Sequence, residues 1–434
     1  MKKKIMDKPL YRMVEKALQK GFVHIMGGSI LNRIIAFLGS VAVVRVLSKE
    51  EYGVFSCAWN IFGIIMIANG FGMDAGVLQL CSERSDDEAY VRRTVHCAAA
   101  TGAAFNILLG AVILAVGLSV PLAIDGAGSI LMLLCALPVF RFMFDLMAAS
   151  LRARRENRRF ALLSVVNALL VFGLGPVFAY FFGAQGMAAG YYAGYAGTIL
   201  LGVVWLRIPL LRHEGRLVPK ERRQLFRISA VSMCNNGLSR LLLLMDVFMI
   251  GLMAKDEAMV AGYRVAGMIP SALTFIPMAV ITCAYPYFAG NRADNSRCLH
   301  WYRKILLGLG GFNAAVSLFL CLLAPWIVDR LFGPAYRDVA PVFRLLSLNY
   351  FIAGTFRTPA GNLLVTQRRL KFNFFVSLAA GAVNIAADAL LIPVWGMMGA
   401  AAATMMAVVL SAALSTGYLL HILSGRKKDH HTKE

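Results

Sequence analysis

Charge is scarce in this 434-residue chain: Asp, Glu, Lys and Arg make up only 15% of it, while 59% is hydrophobic. A soluble domain carries about 25% charged residues, so a large soluble helical protein, with polar outer helix faces, is excluded. Acidic residues are scarcer still, 23 against 44 Lys and Arg, which leaves a net charge of +21. That excess does not imply a nucleic-acid partner, because most Lys and Arg sit in short segments between apolar runs. Such placement reports membrane topology. The eight cysteines include no CxxC and lie mostly within apolar runs, so they read as small apolar residues. The histidines show no metal-ligand spacing, and there is no GxxxxGK[ST] loop for ATP. No cofactor is expected. No cleavable signal peptide is expected either, because the first apolar run is too long and lacks a small-residue cleavage site. No outer connection is much longer than about ten residues, which speaks against a membrane polymerase or ligase with catalytic groups on a large loop.

What is abundant is apolar length. Runs able to cross a bilayer lie near residues 22–47, 53–80, 94–120, 128–150, 160–182 and 187–206. A second set lies near 228–253, 262–288, 305–332, 340–365, 372–392 and 397–423. An all-α integral membrane protein of about twelve helices is the economical reading, because backbone groups in lipid must bond within their own segment. Basic residues alternate in side. One set of connections holds Lys2-Lys3-Lys4, Arg84, Arg92, Arg93, Arg152, Arg154, Arg155, Arg158, Arg159, the Arg207–Arg227 stretch, Arg368, Arg369 and the Arg426-Lys427-Lys428 tail. The other set offers little beyond Lys49, Lys255 and Arg337. Both termini are therefore expected on the cytoplasmic side of a bacterial inner membrane, in a multi-pass arrangement. Before the first span, Lys8, Arg12, Lys16 and Lys20 fall every fourth residue opposite an apolar face. That suits either an interfacial helix on anionic lipid or a simple positive anchor.

The polar stretch Arg207–Arg227 divides the chain, and internal repetition supports the division. Phe182-Gly183-Ala184-Gln185-Gly186-Met187-Ala188 and Trp395-Gly396-Met397-Met398-Gly399-Ala400-Ala401 share [FW]-G-x-x-G-x-A at an offset of 213. Ser29-Ile30-Leu31-Asn32-Arg33 resembles Asn236-Gly237-Leu238-Ser239-Arg240 at an offset of 207. Lys49-Glu50-Glu51 and Lys255-Asp256-Glu257 follow. The expectation is a six-helix lobe over 1–206, a cytoplasmic linker over 207–227, a second six-helix lobe over 228–423 and a tail over 424–434. Two parallel repeats of this kind place a central cavity between lobes and suit alternating access. In the sixth span Gly186, Gly190 and Gly194 form a small-xxx-small ladder that reads as close helix packing.

Ionisable groups at membrane depth cost at least ~2.5–3.5 kcal/mol, so they face protein or water. Arg33 and Arg240 occupy related mid-span positions with Asn32 and Asn236 nearby. Together they offer forked donors to a pyrophosphate, unless each pairs with a buried acid and merely locks helices. Arg357 joins them as a candidate for a cationic, substrate-binding cavity. Arg141 and Asp145 lie one turn apart, as an internal ion pair or a latch. Asp246 and Asp388 lie in outer halves of spans, as ligands for a coupling H+ or Na+ or as neutralisers of an arginine. Asp74 is placed near the inner end of its span. Gly173, Gly175 and Pro176, Pro270 and Pro277, and Pro359 and Gly361 mark expected hinges or kinks.

The stretch from Ser29 through Val46-Leu47-Ser48-Lys49-Glu50-Glu51-Tyr52-Gly53-Val54-Phe55 resembles the opening of the polysaccharide flippases. They belong to the multidrug/oligosaccharidyl-lipid/polysaccharide exporter superfamily, where a Leu-x-x-Glu-Glu-Tyr-Gly turn joins the first two helices. Leu331-Phe332-Gly333-Pro334-Ala335-Tyr336 and Ala340-Pro341-Val342-Phe343-Arg344-Leu345-Leu346 are a second match, and the repeated [FW]-G-x-x-G-x-A a third. The resemblance implies a two-lobe bundle with a cationic cavity. It also implies an undecaprenyl-pyrophosphate-linked oligosaccharide as substrate, with membrane lipids and polysaccharide assembly proteins as partners. Related lipid II flippases carry fourteen helices and a second arginine in the first span, where this chain has Gly39. A multidrug or cation antiporter of the same superfamily would favour intramembrane carboxylates over arginines. A membrane scaffold would need no charges deep in related spans.

Overall fold

The computed structural model describes residues 23–204, 215, 217–291 and 294–425. The amphipathic segment Lys8–Lys20, linker residues 207–214 and the basic tail from residue 426 lie outside the described residues. The described chain is helical without strands. Among the described residues nine helices are long and apolar enough to cross a bilayer, ten if the bent pair Ala127–Leu133 and Leu137–Ala153 makes one crossing. Asn157–Val204, 48 residues long, would extend about 72 Å if straight, more than twice a hydrocarbon core. It folds back at Gly183 instead, leaving two arms each long enough to cross. With Pro219–Ala254, whose apolar stretch carries Arg240 and Asp246, each of the twelve spans read from the sequence has a helical counterpart.

Gly183 explains the shared motif. Its backbone (φ 60°, ψ −149°) lies where only glycine is at ease, and Gly396 repeats it (φ 53°, ψ −131°) between the eleventh and twelfth spans. Three residues on, Gly186 abuts the Phe178 carbonyl, and Gly399 abuts the Leu391 carbonyl in the same way. Further along the first hairpin, a Cβ at Gly190 would stand 2.8 Å from Gly175 Cα, and one at Gly194 2.7 Å from Val171 Cα. The glycine ladder is a packing seam. Pro176 lies within a continuous helix arm.

Other local features recur at the same offsets. Asp87 caps the third span by accepting from Tyr90 N at 2.9 Å, and Asp294 caps the ninth by accepting from Arg297 N at 2.9 Å. The fourth and tenth spans end with Arg155 and Arg368 in left-handed conformation (φ 59° and 58°). At each end a backbone N–H returns across the last turn, Glu156 to Leu151 O at 3.0 Å and Arg369 to Leu364 O at 2.9 Å. The offset rises from 207 to 213 between these landmarks. In that interval the second half carries the short helix Ala324–Phe332 and the tight turn Pro334–Val339.

The structure divides into two compact units between Ala261 and Gly262. The division falls one helix later than the linker, because the seventh span packs within the first unit. Gly72 and Gly76 of the second span lie against Ser229, and Phe71 meets the Phe226 ring at 6.1 Å. Asn60, buried, donates to Leu244 O at 3.1 Å. The core of this unit gathers Met73, Val77, Phe142, Leu146 and Leu163. In the second unit Phe288, Tyr302, Leu363 and Leu419 form a corresponding cluster.

The hairpin seams are testable. Gly186→Val and Gly399→Val drive a side chain into a backbone carbonyl and should each lose about 1–3 kcal/mol, seen as a lower melting temperature in detergent. Gly173→Ala, with nothing within 4 Å of its new methyl, should melt like the parent.

Candidate functional site

In the first unit the second span is discontinuous. Helix Lys49–Ile65 gives way to Met66–Gly72 before Met73–Glu83 resumes, with Gly70, Phe71 and Gly72 all at positive φ (55°, 54° and 69°). Backbone freed in this way must be satisfied inside the protein. Asn106, fully buried on the third span, does so: its Oδ1 accepts from Gly70 N at 2.7 Å. Its Nδ2 donates to Asn69 Oδ1 at 2.8 Å and to Pro138 O at 2.7 Å. The Phe142 ring fills the space between Gly70 and Gly102, so both glycines are required for its fit.

Asn69 passes the connection on, donating from Nδ2 to Asp145 Oδ2 at 2.9 Å. Asp145 is also acted on by the charges of Arg141, Asp74 and Arg240. Tyr191 and Tyr195 of the sixth span interact electrostatically with Arg141. Two guanidiniums and a second carboxylate thus act electrostatically on Asp145, whose hydrogen-bond partner is the Asn69 amide. The structure brings Arg141, Asp145 and Arg240 together, as the sequence did not foresee for Arg240. Asp74, expected near the inner end of its span, sits in the first turn of the helix Met73–Glu83, just after the break, where its charge acts on Asp145.

The remaining candidates of this unit are placed as follows. Arg33 is exposed on the first span and has interaction partners of its own. Asn32 is half-buried, with Oδ1 enclosed and without a hydrogen-bond partner among the described residues. Asn236 is exposed, and Asp246 is half-buried and partnered.

The second unit holds Arg357 and Asp388. Asp388 is fully buried and also has a partner. Arg357 ends a π-turn, Ala353–Arg357, in which Thr358 N returns to Ala353 O. The expected kink at Pro359 and Gly361 is therefore displaced one turn earlier, into a wide turn of the kind common at functional sites. The eighth span breaks at Thr274, between Pro270 and Pro277. Arg357 is exposed, and among the described residues no hydrogen bond, ion pair or charged neighbour engages it. Beside it, Asn313 of the ninth span is fully buried, accepting from Tyr350 OH at 2.7 Å and donating to Thr355 Oγ1 at 3.2 Å.

Sequence reasoning missed the asparagines. The signals were present: Asn69-Gly70 is a turn dipeptide inside an apolar run, and Phe105-Asn106 recurs as Phe312-Asn313 at the 207-residue offset. Among the described residues no group of three His, Cys, Asp or Glu could hold a metal ion. Arg141→Ala and Asp145→Ala should be non-additive, with a coupling of about 1–3 kcal/mol in a double-mutant cycle read by unfolding. Simple additivity would mean the two charges do not act on each other.

Known proteins share this architecture at low identity. An inward-facing multidrug resistance MATE family transporter of the MOP superfamily is 15% identical over 91% of this chain and 96% of its own, with a TM-score of 0.74. The lipid II flippase MurJ in an inward closed conformation is 13% identical over 91% of this chain and 87% of its own, also with a TM-score of 0.74. An outward-facing MATE family transporter is 16% identical, covering 94% of this chain and 96% of its own, with a TM-score of 0.64. No curated protein matches the chain significantly. The fold is that of the MOP-superfamily transporters, in a multi-pass membrane protein. The profile of one sequence family, described as polysaccharide biosynthesis protein, spans residues 17–291, more than half of the chain, and the chain belongs to that family.

Proposed function

We propose that the protein is a flippase of the bacterial cytoplasmic membrane. It moves an undecaprenyl-pyrophosphate-linked oligosaccharide from the inner to the outer leaflet by alternating access, for cell-surface polysaccharide. Membership of the polysaccharide biosynthesis family supports the setting. The observation that carries the reading is Arg357: a cation at membrane depth, accessible, with no carboxylate acting on it among the described residues. Such a charge is costly in lipid, so it suits a wet cavity in which an anion can meet it. A diphosphate headgroup offers oxygens that match the guanidinium fork. Arg33 and Arg240, with Asn32 and Asn236, are cationic and amide donors within the first unit that suit a diphosphate and its sugars in the same way.

The balanced Arg141–Asp145 network serves better as a switch than as an anion receptor, since its charges already offset one another. Coupling to H+ or Na+ would act there or at Asp246 and Asp388. A cation antiporter is the second reading, favoured by the carboxylate pair Asp74 and Asp145 in one network. Lipid II as cargo is disfavoured at Gly39, because its Cβ position already stands 2.6 Å from Phe172, leaving no room for a second arginine.

In proteoliposomes, Arg357→Ala should slow translocation of a lipid-linked oligosaccharide at least about tenfold, the worth of one charged hydrogen bond. Membrane insertion should be unchanged, and Arg357→Lys should retain part of the rate. Arg33→Ala and Arg240→Ala should abolish flipping. Depletion in cells should strand sugar-loaded lipid on the cytoplasmic leaflet. Altered drug sensitivity with normal lipid distribution would transfer the assignment to the antiporter.

A further inference from the structure

Asn106 and Asn313 stand at the same place in the two repeats, and each is spent on an interruption in a neighbouring helix. Asn106 satisfies the break at Asn69–Gly72 and, through Asn69, fixes Asp145. Asn313 joins two residues of the tenth span that straddle the start of the π-turn, Tyr350 and Thr355. All three are buried, with exposures of 0%, 2% and 1%. Gly354 allows the approach: a Cβ there would stand 3.0 Å from Asn313 Nδ2 and 3.2 Å from Pro277 Cγ.

A π-turn carries one residue more than a regular turn and can migrate along a helix. Each helical residue advances the side-chain direction by about 100°. Slippage of the wide turn past Arg357, or its loss, would therefore swing the guanidinium about a quarter-turn around the helix. Thr355 lies only two residues before Arg357, so the Asn313 bond fixes the register at the point where it matters. We propose that Asn313, through Thr355, is a positioning residue for the anion site: it locks the π-turn that sets the direction of Arg357. This rests on the reading of Arg357 as the headgroup-binding cation. In the first unit the same asparagine position orients a carboxylate instead.

The test uses the full chain in nanodiscs and geranylgeranyl pyrophosphate as the probe, with affinity and melting temperature measured together. Thr355→Val keeps the shape but removes the acceptor, and Asn313→Leu removes the clamp outright. Both should weaken binding about tenfold, as a small misplacement of a binding group does. Thr355→Ser keeps the oxygen and should bind like the parent. So should Gly308→Ala, on the same helix with nothing within 4 Å of the added methyl. In an Arg357→Ala background, neither Thr355→Val nor Asn313→Leu should weaken binding further. Equal weakening in both backgrounds would overturn the positioning role, as would full affinity of Thr355→Val with only its melting temperature lowered. Arg357→Ala with parental affinity would remove the anion site itself, and the proposal with it.

Discussion

A polar group inside hydrocarbon must find its partner within the protein, and this molecule meets that demand with asparagine side chains. An amide can donate twice and accept twice, so one residue can bridge an interrupted backbone to a neighbouring helix without adding charge. Asn106 uses two such bonds to hold the break in the second span and a third to tie it to Pro138 O of the fourth. Asn313 links the ninth span to the tenth where the latter widens. Because those interruptions are paid for locally, they can persist in a membrane, and the charged residues beside them can keep defined directions.

The two units put one scaffold to different uses. Caps, hairpin elbows and inner-end turns recur at matching positions, down to backbone angles at Asp87 and Asp294 (φ −90° and −95°, both with ψ 84°). What hangs on the scaffold differs. The first unit gathers opposite charges around Asp145, where a change in one partner shifts the balance of the rest. The second leaves Arg357 without a countercharge among the described residues. Under the proposed function, the asymmetry would separate a group that changes state from a group that attracts cargo.

The spans and the repeat were legible in the sequence because each has a direct physical cause there, apolar length and an offset; the repeated glycine motif was visible too, but not the left-handed elbow that it forms. The Gly186 ladder was correctly read as packing. The interior of the second span was not legible. Asn69 through Gly72 lies in a run whose hydropathy continues unbroken, and only the Asn-Gly pair hinted at a turn. The π-turn left no mark either, since Pro359 pointed one turn too far along. Arg33, Arg240 and Arg357 all stood out as charges, but composition says nothing about whether a carboxylate waits nearby. Asp74 shows the reverse error, since distance to the end of a helix understated its involvement.

The glycine elbows also bear on how the chain enters a bilayer. An arm such as the one after Gly183 or the one after Gly396, inserted alone, would present bare glycine backbone to acyl chains that fill it poorly. Paired with the preceding arm, that backbone is sealed by main-chain contact at Gly186 or Gly399. The smallest piece that leaves no such fissure is the whole hairpin, so membrane integration should proceed two helices at a time at these places.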